Sequence, residues 1–406
     1  MSGLGDIADW VTAAGLAGTG EAELLDGFCR RALAAGLPLA RAAVIVDTLH
    51  PIHEGRAFRW SRDAGDGAET IEYGPTGAGE AAAAWRASSF YRLIETGGSL
   101  LRKRLAAGDD PEFPTVAAFA AEGMTDYLAL INRFAGGGAI GEMDCVYSYW
   151  VSDAPGGFAD AAVTSLVGLM PALALAVKCA SLARIAATLV ETYLGRDPGR
   201  RVLGGRIGRG AVEQIAAVLW YSDLRGFTHI ADAAPPSQIL ALLNDYAEIV
   251  ISAIHEHGGD VLKLIGDGTL AIFPSDEPAA ACARAVAAEG ALRQRLAALN
   301  RKREAAGLPV TEIYLGLHTG EVFYGNIGSR ERLDFTVIGP AVNEVGRIAA
   351  LCRSAERNVL LSADFAAAVE ASGAARPVSV GRYALRGVER PQELFTLDRT
   401  ATPGAG

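Results

Sequence analysis

Ala216-Ala-Val-Leu-Trp-Tyr-Ser-Asp-Leu-Arg-Gly-Phe-Thr228 opens with an unbroken apolar run, Ala216 to Tyr221, and then breaks into a polar turn. A run without alternation marks a strand covered on both faces, hence one in the middle of a sheet. Downstream, Ser237 caps a helix that reaches His257 and stops at Gly258-Gly259. Two strands follow, Val261 to Ile265 and Thr269 to Phe273, joined through Gly266-Asp267-Gly268 as a tight hairpin. A long helix covers Pro278 to Ala306. Strands are expected at Ile313 to His318, Glu321 to Asn326 and Phe335 to Ile338, with a helix from Ala341 to about Ser354. The order βαββαβ predicts an α+β, ferredoxin-like core.

Upstream the pattern changes. Gly195 to Gly210 holds six glycines and five arginines in sixteen residues, which reads as a solvated hinge. Ahead of it, Phe158 to Leu194 is one long helical segment. Leu175, Leu182 and Leu189 recur there at seven, with Ile185 between them. That seam suits a parallel dimer, or the helix packs on its own domain. Further upstream, Glu21 to Ala35 is helical, Arg41 to Leu49 and Gly55 to Ser61 form a hairpin around His50-Pro51, and Cys145 to Val151 is a strand. The expected organisation is an α+β regulatory domain over 1–160, a connecting helix over 161–194, a hinge over 195–212, a catalytic domain over 213–398 and a disordered tail over 399–406.

With 406 residues the chain exceeds one ordinary core. A net charge of −10 gives no general field for nucleic acid, and no such partner is expected. Five scattered cysteines with no CxxC pair argue against a disulfide framework or a zinc site and for a reducing, cytoplasmic setting. The N-terminus lacks a basic segment before its first apolar run, so it is not read as a signal peptide. Ala161 to Val177, interrupted by Thr164, Ser165 and Pro171, falls short of the ~20 clean residues of a membrane span. No membrane partner is expected.

Two aspartates carry the chemistry. Asp223 ends the first buried strand and Asp267 sits at the tip of the hairpin. If those strands are neighbours, both carboxylates converge and repel unless neutralised. Mg²⁺ settles that charge and keeps positions open for phosphate oxygens. Two such ions held by shared carboxylates serve in-line attack at phosphorus. The turn from Leu224 to Thr228 contains Gly226 and offers N–H groups to a triphosphate, without the lysine pattern of a P-loop. Lys263 stands out because the chain has only four lysines among 37 basic residues. A slim ammonium donor placed on a strand suggests a use for it. Asn343 and Arg347, four apart, share one helix face and suit a ribose and a crowded phosphorane. The histidines form no site: His318 reads as a satisfied strand-end residue, and His229, His255 and His257 as helix surface.

The motifs YSDLRGFT, KLIGDGTLAIF, GLHTGEVFYGNIG and RLDFTVIGPAVNEVGR, in that order over about 180 residues, closely resemble the class III adenylate/guanylate cyclase catalytic domain. The resemblance implies that Asp223 and Asp267, with the backbone carbonyl of Leu224, hold two divalent cations, Mg²⁺ or Mn²⁺. It implies that Lys263 and Thr336 read adenine, that Asn343 orients the ribose and that Arg347 stabilises the transition state. Arg225, Gly226, Phe227 and Thr228 are expected at the triphosphate. The family builds its site between two catalytic domains, so a chain with one complete set is expected to be a homodimer with two sites. Two positions depart from the usual pattern. Thr336 stands where many members have Asp, and Arg386 stands where a phosphate-gripping Lys is usual, with Arg330 or Arg332 as further candidates. The N-terminal module is similar to a GAF-type sensor domain. Phe58, Trp60, Tyr73, Tyr147, Tyr149 and Trp150 either line a pocket there or are plain core. The module accordingly either binds an unnamed small molecule or dimerises without one. The expected activity is conversion of ATP to 3′,5′-cyclic AMP and pyrophosphate. The alternatives are a guanylate cyclase or a catalytically silent nucleotide-binding regulator.

Overall fold

The computed structural model describes residues 2–65, 67–134, 140–141, 143–274, 276–385 and 391–397. The chain divides into two compact units, Met1–Leu189 and Val190–Gly406.

The first unit contains α1 (Ser2–Leu16), α2 (Glu21–Ala34), β1 (Arg41–Asp47), β2 (Gly55–Ser61), β3 (Glu69–Tyr73), α3 (Gly79–Arg86), α4 (Ser89–Glu95), β4 (Leu100–Lys103), α5 (Pro114–Ala121), β5 (Asp126–Arg133), β6 (Cys145–Ser152) and most of α6 (Asp160–Leu194). Its strands form one antiparallel sheet in the order β3-β2-β1-β6-β5-β4. Strand alternation sends Val44, Val46, Phe58 and Trp150 to one face, where they pack with Leu24, Leu25 and Phe28 of α2 and Leu166, Leu173 and Val177 of α6. Tyr127, Tyr147 and Val151 point to the other face, against α4 and α5. Of the six aromatics read as either pocket lining or plain core, Phe58, Trp60 and Trp150 belong to this helix-covered core. An ion pair from the partly exposed Arg184 to the buried Glu21, 2.7 Å long and joined by Ser181, ties α6 to the start of α2.

The heptad seam of α6 is not one stripe. Leu175 is 62% exposed, Ile185 is buried, and Leu182 and Leu189 pack against the unit's own core. By length and composition α6 and α9 (Pro236–Glu256) are apolar enough to cross a membrane, yet each buries residues in the core of its unit.

The second unit runs α7 (Arg196–Leu203), β7 (Val212–Leu224), α8 (Phe227–Ala233), α9, β8 (Asp260–Ile265), β9 (Gly268–Pro274), α10 (Pro278–Ala305), β10 (Ile313–Gly328), β11 (Leu333–Ile338), α11 (Pro340–Leu351), β12 (Val359–Ser362), α12 (Ala363–Ala371), β13 (Pro377–Tyr383) and β14 (Gln392–Leu397). The sheet order is β13-β14-β12-β10-β7-β9-β8, with β11 paired to β10. β7 lies inside the sheet and is buried on both faces from Ala217 to Trp220, while Ala216, the first residue of the apolar run, is exposed. Val218 and Trp220 meet α9 and α10, while Ala217 and Leu219 meet the side covered by Ala341 and Val345 of α11.

Two elements differ from expectation. β10 is one strand through Thr319 and Gly320, because β7 pairs with it along its whole length from Leu224↔Ile313 to Val212↔Gly325. Gly320 marks a close approach instead of a turn: a Cβ there would lie 2.7 Å from the Cβ of Ala341. The glycine- and arginine-rich stretch carries α7 rather than being hinge throughout. Asp197 accepts from the Tyr324 hydroxyl at 2.8 Å and from Arg201, which also pairs with Glu213. The segment 399–406 lies outside the described residues.

Candidate functional site

β7 carries Asp223 as its penultimate residue, and the two-residue link between β8 and β9 carries Asp267. Gly266, the first residue of that link, has φ +63°, the left-handed conformation a two-residue hairpin asks of glycine. β7 and β9 are direct neighbours with Ser222 opposite Thr269, so the two carboxylates reach the same sheet edge. Burial, a hydrogen bond donated to Asp267 and the charge of Asp267 push the Asp223 carboxyl up to about 7. Tyr221, two residues earlier on β7, has its phenol pushed up by burial and then by both aspartates.

A cavity of about 190 Å³ opens beside the pair, lined by Ser222, Asp223, Leu224, Asn244, Asp267 and Gly268 among others. Two carboxylates with a strand-end carbonyl form a hard, all-oxygen donor set. That chemistry fits Mg²⁺ or Mn²⁺ and does not fit a softer metal. Among the described residues no group of three or more His, Cys, Asp or Glu could hold a metal, so ions here would keep positions for backbone, water or phosphate oxygens. Gly226, with φ +71°, leads into α8. The Arg225 N–H is already spent on the carbonyl of Glu312 at 2.8 Å, which leaves Arg225 its exposed guanidinium to offer.

Lys263 sits on β8 just past a bulge: Val261 pairs with Ala271 and Lys263 with Leu270, leaving Leu262 as the extra residue. Such a bulge re-aims the side chain that follows it. The ammonium forms an ion pair with Asp334 of β11. Asp334 precedes Thr336 by two and so shares its strand face. Thr336 is only 7% exposed, and its hydroxyl has no hydrogen bond among the described residues. Asp334 was missed in the sequence, although strand parity with Thr336 was a signal for it.

On α11, Ala341, Val345, Ile348 and Ala349 are buried, while Asn343 is exposed and Arg347 half-buried. Neither polar residue has a hydrogen bond or ion pair among the described residues. The cavity beside Asp223 and Asp267 is not lined by Lys263, Thr336, Asn343 or Arg347. One chain thus holds two separate groups: the aspartate pair and the β8–β11–α11 set.

Residues 211–399 match the family model described as the adenylate and guanylate cyclase catalytic domain. This segment is a class III cyclase domain. An uncharacterised protein of Mycobacterium tuberculosis is 34% identical to the chain over 212 residues, covering 50% of this chain and 37% of that protein. An adenylate cyclase of Anabaena cylindrica is 33% identical over 153 residues, covering 38% of this chain and 30% of that one. The chain therefore spans about a third of the length of these curated relatives. The solved adenylyl cyclase CyaB of P. aeruginosa is 24% identical with a TM-score of 0.44, covering 48% of this chain and 99% of that one.

Within the cyclase domain, Arg330 and Arg332 are exposed in the β10–β11 turn, where the Ser329 hydroxyl accepts from the N–H groups of Glu331 and Arg332. Arg386 lies outside the described residues. Two histidines differ from their surface or satisfied readings. The Nε2 of His255 is buried without a partner among the described residues, and burial followed by Arg196 pushes its pKa down to about 4. His318 faces Glu344 at 3.5 Å through Nε2, while its buried Nδ1 has no partner among the described residues.

Proposed function

We propose that the chain is an adenylate cyclase, converting ATP to 3′,5′-cyclic AMP and pyrophosphate. The observation that carries the reading is the meeting of Asp223 and Asp267 at the ends of adjacent strands of a cyclase domain, beside an open cavity. Divalent cations held by these carboxylates and the Leu224 carbonyl would lower the pKa of the ribose 3′-hydroxyl and balance the charge of the leaving pyrophosphate.

The remaining roles belong to the chain's own side chains. Asn343 holds the ribose by its amide, and Arg347 places a guanidinium on the crowded phosphate oxygens. Arg225 and the turn through Gly226, Phe227 and Thr228 face the triphosphate, with Arg330 or Arg332 and Arg386 as further cations. Lys263 donates to adenine N1 and Thr336 accepts from the N6 amino group. Because the aspartate pair and the second group line different places in one chain, the complete site forms between two copies. The Anabaena cylindrica relative supports ATP as the substrate. The setting we propose is cytoplasmic.

The guanylate cyclase reading has one observation in its favour. Asp334, beside Lys263, is an acceptor of the kind that guanine N1–H requires. Purified protein incubated with Mn²⁺ and either ATP or GTP, with the products resolved by chromatography, decides between them. Cyclic AMP as the main product is expected. Equal or greater production of cyclic GMP would transfer the reading to GTP, and no cyclic product from either would favour the silent regulator.

A further inference from the structure

The first unit carries a second chemical environment, on the face of its sheet away from α2 and α6. A cavity of about 1380 Å³ opens there, room enough for a drug-sized molecule. Ile45 and Asp47 of β1 and Ala57 of β2 lie along it, and aromatic rings from other elements wall it. Trp85 stands edge-on to Tyr147 at 5.6 Å, and Phe119 and Tyr127 lie 5.5 and 5.9 Å from Tyr149.

The charges that line this space are unbalanced. Five carboxylates (Asp47, Glu54, Glu69, Glu122 and Asp144) stand against two guanidiniums, Arg41 and Arg59. Arg41 is already paired with Asp63 at 3.1 Å; Arg59 is exposed, as are Glu69, Glu122 and Asp144, so the half-buried carboxylates are Asp47 and Glu54, the latter accepting from the Thr76 N–H and hydroxyl. The acidic end is built with care for position. The Tyr73 hydroxyl donates to Asp47 at 2.8 Å. Gly55 leaves the room for it, since a Cβ there would lie 2.1 Å from the Tyr73 hydroxyl oxygen. The Tyr147 phenol is pushed up by burial and by the neighbouring Cys145, Asp47 and Asp144, so it stays a neutral ring at physiological pH.

Ring faces carry the negative side of a quadrupole, and carboxylates add to the same sign. A cavity with both disfavours anions and rewards a positive charge carried on an apolar body. We infer that this cavity binds an organic cation, a protonated amine or quaternary ammonium compound whose apolar part lies among Trp85, Tyr147 and Tyr149 and whose charge lies toward Asp47. The inference stands on the first unit alone and is independent of the substrate of the cyclase domain.

The test is isothermal titration calorimetry of the full chain with three probes of similar size: benzyltrimethylammonium, benzyl alcohol and benzenesulfonate. Saturable binding of the cation to one site per chain is expected, about tenfold or more tighter than the neutral probe, with no binding of the anion. Trp85→Leu and Asp47→Asn should each weaken the cation by about tenfold without changing cyclic nucleotide production in the absence of probe. Asp144→Asn, at an exposed position, serves if Asp47→Asn does not fold. Benzenesulfonate binding as well as the cation, equal binding of benzyl alcohol, no binding of any probe, or variants that bind like the parent would each overturn the inference.

Discussion

The ammonium of Lys263 on β8 is ion-paired with the carboxylate of Asp334 on β11, on the strand face that also carries Thr336. The proposed base-reading lysine is therefore held in place before any nucleotide arrives. Both side chains are partly open to solvent, at 32% and 42%. A pair in that setting contributes ~0.2–1 kcal/mol, or roughly 1.5- to 5-fold. Asp334→Asn should raise the KM for ATP within that range and leave kcat nearly unchanged. Lys263→Ala removes the donor itself, and a lost or mismatched buried donor costs ~1–3 kcal/mol, roughly 5- to 150-fold in kcat/KM. Steady-state kinetics of the two variants check the order. An Asp334→Asn loss as large as that of Lys263→Ala would mean that Asp334 meets the nucleotide directly.

Asp223 gives a pH prediction whose sign is fixed by its raised pKa. The ordinary carboxylate value is 3.8, and the folded value is about 7. Between those limits the folded state holds a proton that the unfolded chain has released, so stability falls as pH rises. The contribution is complete below the unfolded value and lost as pH climbs through about 7. In EDTA, the urea midpoint of the wild type should drop from pH 5 to pH 8 more than that of Asp223→Asn. Mn²⁺ should restore stability at pH 8, do little at pH 5, and have little effect on the variant at either. Equal Mn²⁺ protection of wild type and variant would place the metal elsewhere.

α11 must approach β10 closely to present Asn343 and Arg347, and glycine allows it. A Cβ at Gly316 would lie 2.7 Å from the Val345 carbonyl and 2.8 Å from the Ala349 nitrogen, both helix backbone that cannot swing aside. Gly316→Ala should cost ~1–3 kcal/mol and depress activity with stability. Gly346, within α11 itself, has nothing within 4 Å of its Cβ position among the described residues. Gly346→Ala should stabilise by ~0.5–1 kcal/mol through helix propensity. Denaturant midpoints of the two variants should move in opposite directions. A shift of the same sign in both would refute the packing account.

Where the sequence spoke clearly, the signal was local. The unbroken run Ala216 to Tyr221, the Gly266-Asp267-Gly268 link and the four-residue spacing of Asn343 and Arg347 each follow from one element's own periodicity. What stayed hidden depends on distant partners. Thr319-Gly320 looks like a turn until Ala341 is seen resting on it. The glycine- and arginine-rich stretch becomes helical at α7 where Asp197 meets Tyr324, far along the chain. Lys263 finds Asp334 only because a bulge and the β10–β11 pairing coincide. The aromatic set was partly legible: Tyr147 and Tyr149 cannot share a strand face with Trp150, and parity alone would have sent Trp150 to the helix-covered core.

The separation of the aspartate pair from Asn343 and Arg347 yields the sharpest test of a composite site. If two copies complete each other, every site takes Asp223 and Asp267 from one chain and Lys263, Thr336, Asn343 and Arg347 from its partner. Asp267→Ala removes a metal carboxylate from both sites of a homodimer. Arg347→Ala removes the transition-state cation from both, at a cost on the order of 10²–10³ in kcat by analogy with one oxyanion donor. Each variant alone should be nearly inactive. In a mixed dimer, however, one site collects both defects and the other collects neither. An equimolar mixture with free exchange holds mixed dimers as half of all dimers, each with one intact site, so about a quarter of wild-type activity should return. Subunit exchange is verified separately, by energy transfer between differently labelled chains. Recovery that tracks the exchange supports a site built from two copies. Exchange without recovery would require all six residues to act within one chain, and the two groups of side chains would then have to come together by a change of fold.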